Sequence, residues 1–429
     1  MIAWAMTACR DSTPSPRADA APRVVSSSRT EARADAGPPP RCLLAVSNDA
    51  ASSTFGNDAE LGEAVPVAGG FAIGALRKAA LPATGLVASV LQVPAAAGGD
   101  AVIDLGPAWR DGSAPQPLVR ANAVFAVGYV VRRGAPPPSA HRALAVFRAS
   151  GGVERLLDLP AETDASSAFD VAAAPEGGPI GGIVAWDDDV GAPARGVIQL
   201  ATLSADLRSV RSTREITPLP ETTGPAVDAG DPRLTPRTKG FWLTWVARRA
   251  EHVAALPLPA GEVETPSADA MYGWVEAMAI DPTGAPVGAA RRLTSVTGHV
   301  GSYDVASDGE DLLVVAEDDS GPRGGGSIDQ VVLHGDALPT VTRLVRGGAD
   351  EETPPALVVT TPGEHWLTFL DLRGDRDLLP LASGGFPPGA PSVEPALREA
   401  RLLGPRDGRI TLAVLKGASW SLQSAACKR

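Results

Sequence analysis

The chain has 429 residues, 44% of them hydrophobic, and a formal net charge of −12. That balance disfavours nucleic acid and anionic membrane surfaces as partners, because both call for a basic patch. No run of about 20 apolar residues occurs, so no helix is long and apolar enough to span a bilayer. Nor does i, i+3, i+4, i+7 apolar spacing persist over three turns.

The first nine residues, MIAWAMTAC, are short and apolar. Small Thr7 and Ala8 followed by Cys9 resemble the end of a bacterial lipoprotein signal. A basic n-region and a longer apolar core are missing, and Met6 stands where leucine is usual. The expectation is a truncated signal over 1–9 with lipid on Cys9; a chance cysteine is the alternative. Residues 10–40 are rich in Ala, Pro, Ser, Arg and Asp. Such a segment buries too little apolar surface to order itself and reads as a flexible tether.

From residue 41 to 429 a short apolar segment recurs seven times. The segments are GGFAIGALR around Ala75, AVFAVGYVVRR around Tyr129, GGIVAWDDD around Trp186 and KGFWLTWVARR around Trp245. GEDLLVVAEDD around Val315, GEHWLTFLDLR around Phe369 and GRITLAVLK around Val414 complete the series. The spacings are 54, 57, 59, 70, 54 and 45 residues, a period that marks a repeat architecture. Most segments are apolar at successive positions, as in Ile183-Val184-Ala185-Trp186. A strand covered on both faces reads this way.

Each repeat resolves into a four-stranded meander, least clearly in the first. The third predicts strands at 168–174, 182–187, 196–203 and 210–217. The fourth predicts 231–238, 240–248, 273–281 and 287–294, with a turn at Asp281-Pro282-Thr283-Gly284. The fifth predicts 302–306, 311–317, 328–334 and 340–346. The last supplies only three strands, 398–403, 409–415 and 419–424, and needs 42–47 from the other end of the chain as its fourth. The fold expected is therefore all-β: a seven-bladed β-propeller of four-stranded antiparallel blades, closed by N- and C-terminal strands in one blade. Six or eight blades stay open.

Three cysteines are present. With Cys9 lipidated, Cys42 and Cys427 remain, one at each end of the repeat region. A disulfide between them would clamp the seam of the ring. In the chain-entropy view that closure is worth roughly 4–5 kcal/mol, less any strain, and it implies an oxidising compartment.

On period and strand pattern, residues 41–429 resemble the seven-bladed propellers of exported bacterial lipoproteins. No named propeller signature is matched. Trp186-Asp187 occurs once, the sialidase box is absent, and Gly69-Gly70 and Gly181-Gly182 do not extend to kelch spacing. The resemblance implies a periplasmic or cell-surface location and carries no functional residues over.

No nucleophile elbow, phosphate loop or zinc-type histidine spacing occurs, so no catalytic residue, metal ligand or cofactor is assigned. In a meander, the loops joining strands two and three share a face with those joining successive blades. Charge gathers at that face: Arg132-Arg133, Asp187-Asp188-Asp189, Arg248-Arg249, Glu317-Asp318-Asp319 and residues 371–377. Asp170, Asp231, Asp304 and Glu352 stand where inner strands begin. Candidate binding residues are Asp187, Asp188, Asp189, Glu317, Asp318, Asp319, Arg132 and Arg248. Oxygen clusters of this kind suit a structural Ca²⁺, sugar hydroxyls or a basic partner; the simpler reading is turn capping and solubility. Trp109 and Trp274, by loop placement, are candidate sugar platforms, and Trp186, Trp242, Trp245 and Trp366 read as blade core. The insertion at 249–272 is the longest. Arg373-Gly374-Asp375 matches an adhesion tripeptide, a pattern short enough to arise by chance.

The leading expectation is a monomeric, non-catalytic binding or scaffold propeller of the cell envelope. It would be held at the membrane by lipid alone and bind a protein or glycan. The alternatives are a glycan lyase or hydrolase with carboxylates at the channel mouth, and a purely structural envelope protein.

Overall fold

The computed structural model describes residues 41–46, 59–79, 85–94, 101–109, 112–135, 141–161, 168–191, 194–216, 227–252, 269–319, 326–349, 355–361, 364–370, 376–382, 399–406, 409–416 and 419–428. Cys9, the 10–40 segment, Glu352 and Arg373-Gly374-Asp375 lie outside these residues.

The described residues form antiparallel sheets that follow one another along the chain. Sheet one runs from Glu60 to Pro107, sheet two from Gln116 to Pro160, sheet three from Phe169 to Ile216 and sheet four from Asp228 to Arg292. Sheet five runs from Val300 to Ala349, sheet six from Ala356 to Ala382 and sheet seven from Glu399 to Lys428. Sheet seven takes its outermost strand, Arg41–Val46, from the other end of the repeat region. Four-stranded antiparallel blades are thus shown, and the architecture is a β-propeller. The expected seven four-stranded blades are corrected to six complete ones, because sheet six contributes three strands among the described residues.

The strands fall where apolar runs place them. In sheet four the observed strands are Asp228–Arg237, Gly240–His252, Asp269–Ile280 and Pro286–Arg292. The middle hairpin zips further than expected, with pairing continued to His252↔Asp269, and this shortens the anticipated long insertion. Residues 253–268 of that insertion lie outside the described residues. Ile183, Val184 and Ala185 are fully buried and Trp186 is 1% exposed, so both faces of that strand are covered. Neighbouring sheets share cores: Ile183, Ala185 and Ile198 of sheet three pack with Phe241, Leu243 and Trp245 of sheet four. Sheets one and two approach closely enough that a Cβ on Gly74 would lie 1.6 Å from the carbonyl oxygen of Pro115.

The first strands of the sheets touch in cyclic order. Glu60–Val67 meets Gln116–Arg120, then follow Phe169–Ala173, Asp228–Arg237, Val300–Asp308, Ala356–Thr361 and Glu399–Arg406, which returns to Glu60–Val67. The cycle surrounds a central channel, and each of these strands begins at the face where the second strands end.

Candidate active site

The expected turn-rich face holds one concentrated set of charges, centred on Arg233. The strand Asp228–Arg237 opens with a β-bulge, its register slipping between Gly230 and Arg233. Within the bulge Asp231 takes the left-handed conformation at φ 51°. This is strained for a side chain that also precedes a proline. The bulge re-aims two side chains. Asp231 forms an ion pair with Arg248 at the end of the next strand. Arg233 Nη1 reaches Glu63 Oε1 at 3.6 Å. Glu63 belongs to sheet one, separated from sheet four by two intervening sheets in the shorter direction round the cycle. The contact therefore spans the channel instead of joining neighbours.

Other blades support this arginine. Asp170, 3% exposed, accepts hydrogen bonds from the Val171 amide at 2.7 Å and the Leu234 amide at 2.5 Å. It thereby fastens sheet three to sheet four beside Arg233. Gln116 continues the belt: its Nε2 donates to the Phe169 carbonyl at 2.7 Å and its Oε1 accepts from the Val171 amide at 3.2 Å. Tyr303 of sheet five is buried; its hydroxyl donates to the Asp231 carbonyl at 2.7 Å and accepts from Thr244 Oγ1 at 3.2 Å. Asp304 adds a half-buried carboxylate next in sequence, its Oδ1 accepting from the Val305 amide at 2.8 Å.

The electrostatics follow from burial. Desolvation pushes the Asp170 carboxyl well above the usual range, and the charge of Glu63 adds to that; Arg233 and the two backbone amides pull the other way and are outweighed. For Arg233, desolvation opposes the charge, but Glu63, Asp170 and Asp304 together hold the guanidinium protonated. Burial likewise raises the Tyr303 phenol, so it acts as a hydrogen-bond donor at neutral pH. The ensemble is a buried carboxyl whose pKa is raised, a guanidinium held protonated, and two partly exposed carboxyl groups, Glu63 and Asp304, whose charges act on that guanidinium.

The residues expected from sequence are distributed around this centre. Asp187 and Arg248 come together: a Cβ on Gly230 would lie 2.7 Å from Arg248 Nη1 and 3.6 Å from Asp187 Oδ2. Asp187 is buried, not at an open loop tip, because the strand Gly182–Val190 continues through it. Asp188 is half-buried and accepts from the Asp189 amide at 3.0 Å; Asp189 is exposed. Arg132 is half-buried at the end of sheet two's second strand, its amide donating to the His141 carbonyl at 2.8 Å.

Glu317, Asp318 and Asp319 form a separate group in sheet five. Glu317 is 1% exposed and fills the space left by Gly326, where a Cβ would fall 1.8 Å from its Oε1. Asp318 accepts from the His299 amide at 3.0 Å and lies 3.7 Å from Arg343; Asp319 lies 3.8 Å from His299 Nδ1. No group of three or more His, Cys, Asp or Glu fit to hold a metal, such as the structural Ca²⁺ weighed from the acidic loops, occurs among the described residues.

Two further placements change. Trp274 is fully buried and its Nε1 donates to Glu276 at 3.0 Å, so it is no sugar platform. Trp109 is half-buried against the core shared by sheets two and three. Trp186, Trp242, Trp245 and Trp366 are buried in the blades as expected. Glu63, Arg233 and Tyr303 were not singled out by the sequence. The available signal was the pair Asp231 and Arg233 flanking Pro232 at the start of an inner strand.

No family model matches the chain, and no curated protein matches it. Solved structures do. A polysaccharide lyase of family PL25, an ulvan lyase, is 11% identical over 87% of this chain and 94% of its own, with a TM-score of 0.51. The same enzyme bound to -[GlcA(1-4)Rha3S]- gives 12% identity, the same shares and a TM-score of 0.50. An α-L-arabinofuranosidase from Fusarium graminearum in complex with an iminosugar inhibitor is 13% identical over 90% of this chain and 97% of its own, at a TM-score of 0.43. At these identities the likeness shows the propeller fold. The leading expectation of a non-catalytic scaffold is corrected on the ulvan lyase, a glycan-acting enzyme on this fold.

Proposed function

We propose that this protein is a glycan-acting propeller enzyme with its reaction centre at the channel end of sheets one, three, four and five. The observation that carries the reading is the Arg233–Glu63 contact across the channel, 3.6 Å long and flanked by Asp170 and Asp304. Paired carboxyl groups either side of a scissile bond are the working parts of glycoside hydrolysis. Glu63 is the group placed to exchange a proton with the glycosidic oxygen, and Asp304 the second carboxyl. Asp170, buried away from the opening, is a positioning residue for Arg233. Cleavage breaks the glycosidic C–O bond and adds water across it.

Charge favours hydrolysis of a neutral glycan over elimination on a uronate. Glu63, Asp231 and Asp304 outnumber Arg233 and Arg248 around the opening. Arg233, the cation an anionic sugar would need, is already engaged by Glu63. An acidic chain would meet net repulsion on entry.

The test is a panel of neutral and anionic polysaccharides incubated with the protein and with Glu63→Gln. Reducing ends released from a neutral glycan, lost in the variant, support the reading. An unsaturated product would show elimination instead, and no product from any glycan would overturn the enzyme reading. We also propose that sheet six is the seventh blade, and that the protein is an exported, monomeric envelope lipoprotein anchored through Cys9. Metabolic labelling with a fatty acid, compared with Cys9→Ser, tests the anchor.

A further inference from the structure

The strand Arg41–Val46 is the outermost of sheet seven and is hydrogen-bonded on one side, to Ser419–Lys428. It begins where the preceding 40 residues attach. Its opening rungs are Arg41↔Lys428 and then Cys42↔Cys427. An edge strand has no second neighbour to hold it, so opening starts there.

The second rung pairs two cysteines directly, in a chain that has three. Directly opposed positions of an antiparallel pair share a face of the sheet. Their Cα atoms lie about 4.5 or 5.5 Å apart, depending on the type of rung. Both values fall within the roughly 4.4–6.8 Å that a disulfide needs. We propose that Cys42 and Cys427 form a disulfide that locks this edge strand at its entering end and closes the ring covalently. The two thiols lose two protons and two electrons and gain one S–S bond. The oxidant is a small-molecule or protein disulfide, reduced to two thiols through a mixed-disulfide intermediate.

The experiment uses the full chain, folded and exposed to oxidised glutathione, then alkylated without reductant and mapped by mass spectrometry. A linked peptide containing Cys42 and Cys427, with Cys9 as the one remaining cysteine, is the expected result. Alkylation of both Cys42 and Cys427, or a bridge from either to Cys9, overturns the proposal. Thermal melting gives an independent reading. Reductant should lower the melting temperature of the wild type and leave Cys42→Ser/Cys427→Ser unchanged; equal sensitivity of the two proteins would also overturn it.

Discussion

Replacing Asp170 with Asn separates the hydrogen-bonding role of this residue from its charge. Asp170 has two oxygens, each accepting one backbone amide, at 2.5 Å from Leu234 and 2.7 Å from Val171. Asn keeps one acceptor and turns an NH₂ toward the other amide. One buried N–H is then orphaned, a cost of about 1–3 kcal/mol. At pH 4, the low end of the range over which the raised carboxyl titrates, the variant should be less stable by that amount.

The gap should then close with rising pH. Because the folded carboxyl titrates well above its unfolded value of about 3.9, the native state binds the proton more tightly than the unfolded state. Wild-type stability from this group is fully present below that value and is lost as pH rises toward the folded pKa. The loss proceeds at about 1.4 kcal/mol per pH unit. Asn does not titrate, so the difference between the two proteins isolates Asp170. Urea denaturation at half-unit steps from pH 4 to 7 measures it. A variant whose deficit stays constant across that range would refute the assignment of a raised carboxyl.

Three further outcomes follow from the geometry. Gly74→Ala drives a Cβ to 1.6 Å from the Pro115 carbonyl and must part sheets one and two. A stability loss above about 3 kcal/mol, or failure to fold, is expected in urea melts. Tyr303→Phe removes the donor to the Asp231 carbonyl and should cost about 1–2 kcal/mol by the same measurement. Asp281→Ala removes three hydrogen bonds from Thr283 and Ala285 that lower its carboxyl pKa against the opposing effect of burial. Its deficit should be present above pH 4 and fade as pH falls through the depressed folded pKa, read from melts at pH 2 to 6.

The strand plan was legible because the second strand of each repeat is apolar on both faces, as at Phe241–Val246, and only face-to-face blades bury such a run. The acids Asp170, Asp231 and Asp304 were legible as a set because each opens an inner strand at the same face. Arg233 was not, because its partner Glu63 is distant in sequence and three sheets away, and only ring closure brings them together. Glu63 also sits in the repeat whose inner strand is least regular, within a register slip between Leu61 and Ala64. Glu317 and Asp187 read from sequence as loop tips because the apolar run stops before them. Backbone pairing carries each strand past that point, and Gly326 leaves room for the Glu317 carboxylate. Trp274 was misplaced for a similar reason: the hairpin of sheet four extends beyond it to Asp269, enclosing the indole.

Glycan cleavage as proposed depends on the carboxyl group of Glu63 acting at the channel mouth. The most direct measurement is the initial rate of reducing-end release from the glycan identified in the panel, for wild type, Glu63→Gln and Asp189→Asn. A proton-transferring carboxyl contributes about 10²–10⁴-fold, so Glu63→Gln should fall by at least about 100-fold while exposed Asp189→Asn retains the wild-type rate. Equal rates for wild type and Glu63→Gln would contradict the placement of the reaction centre.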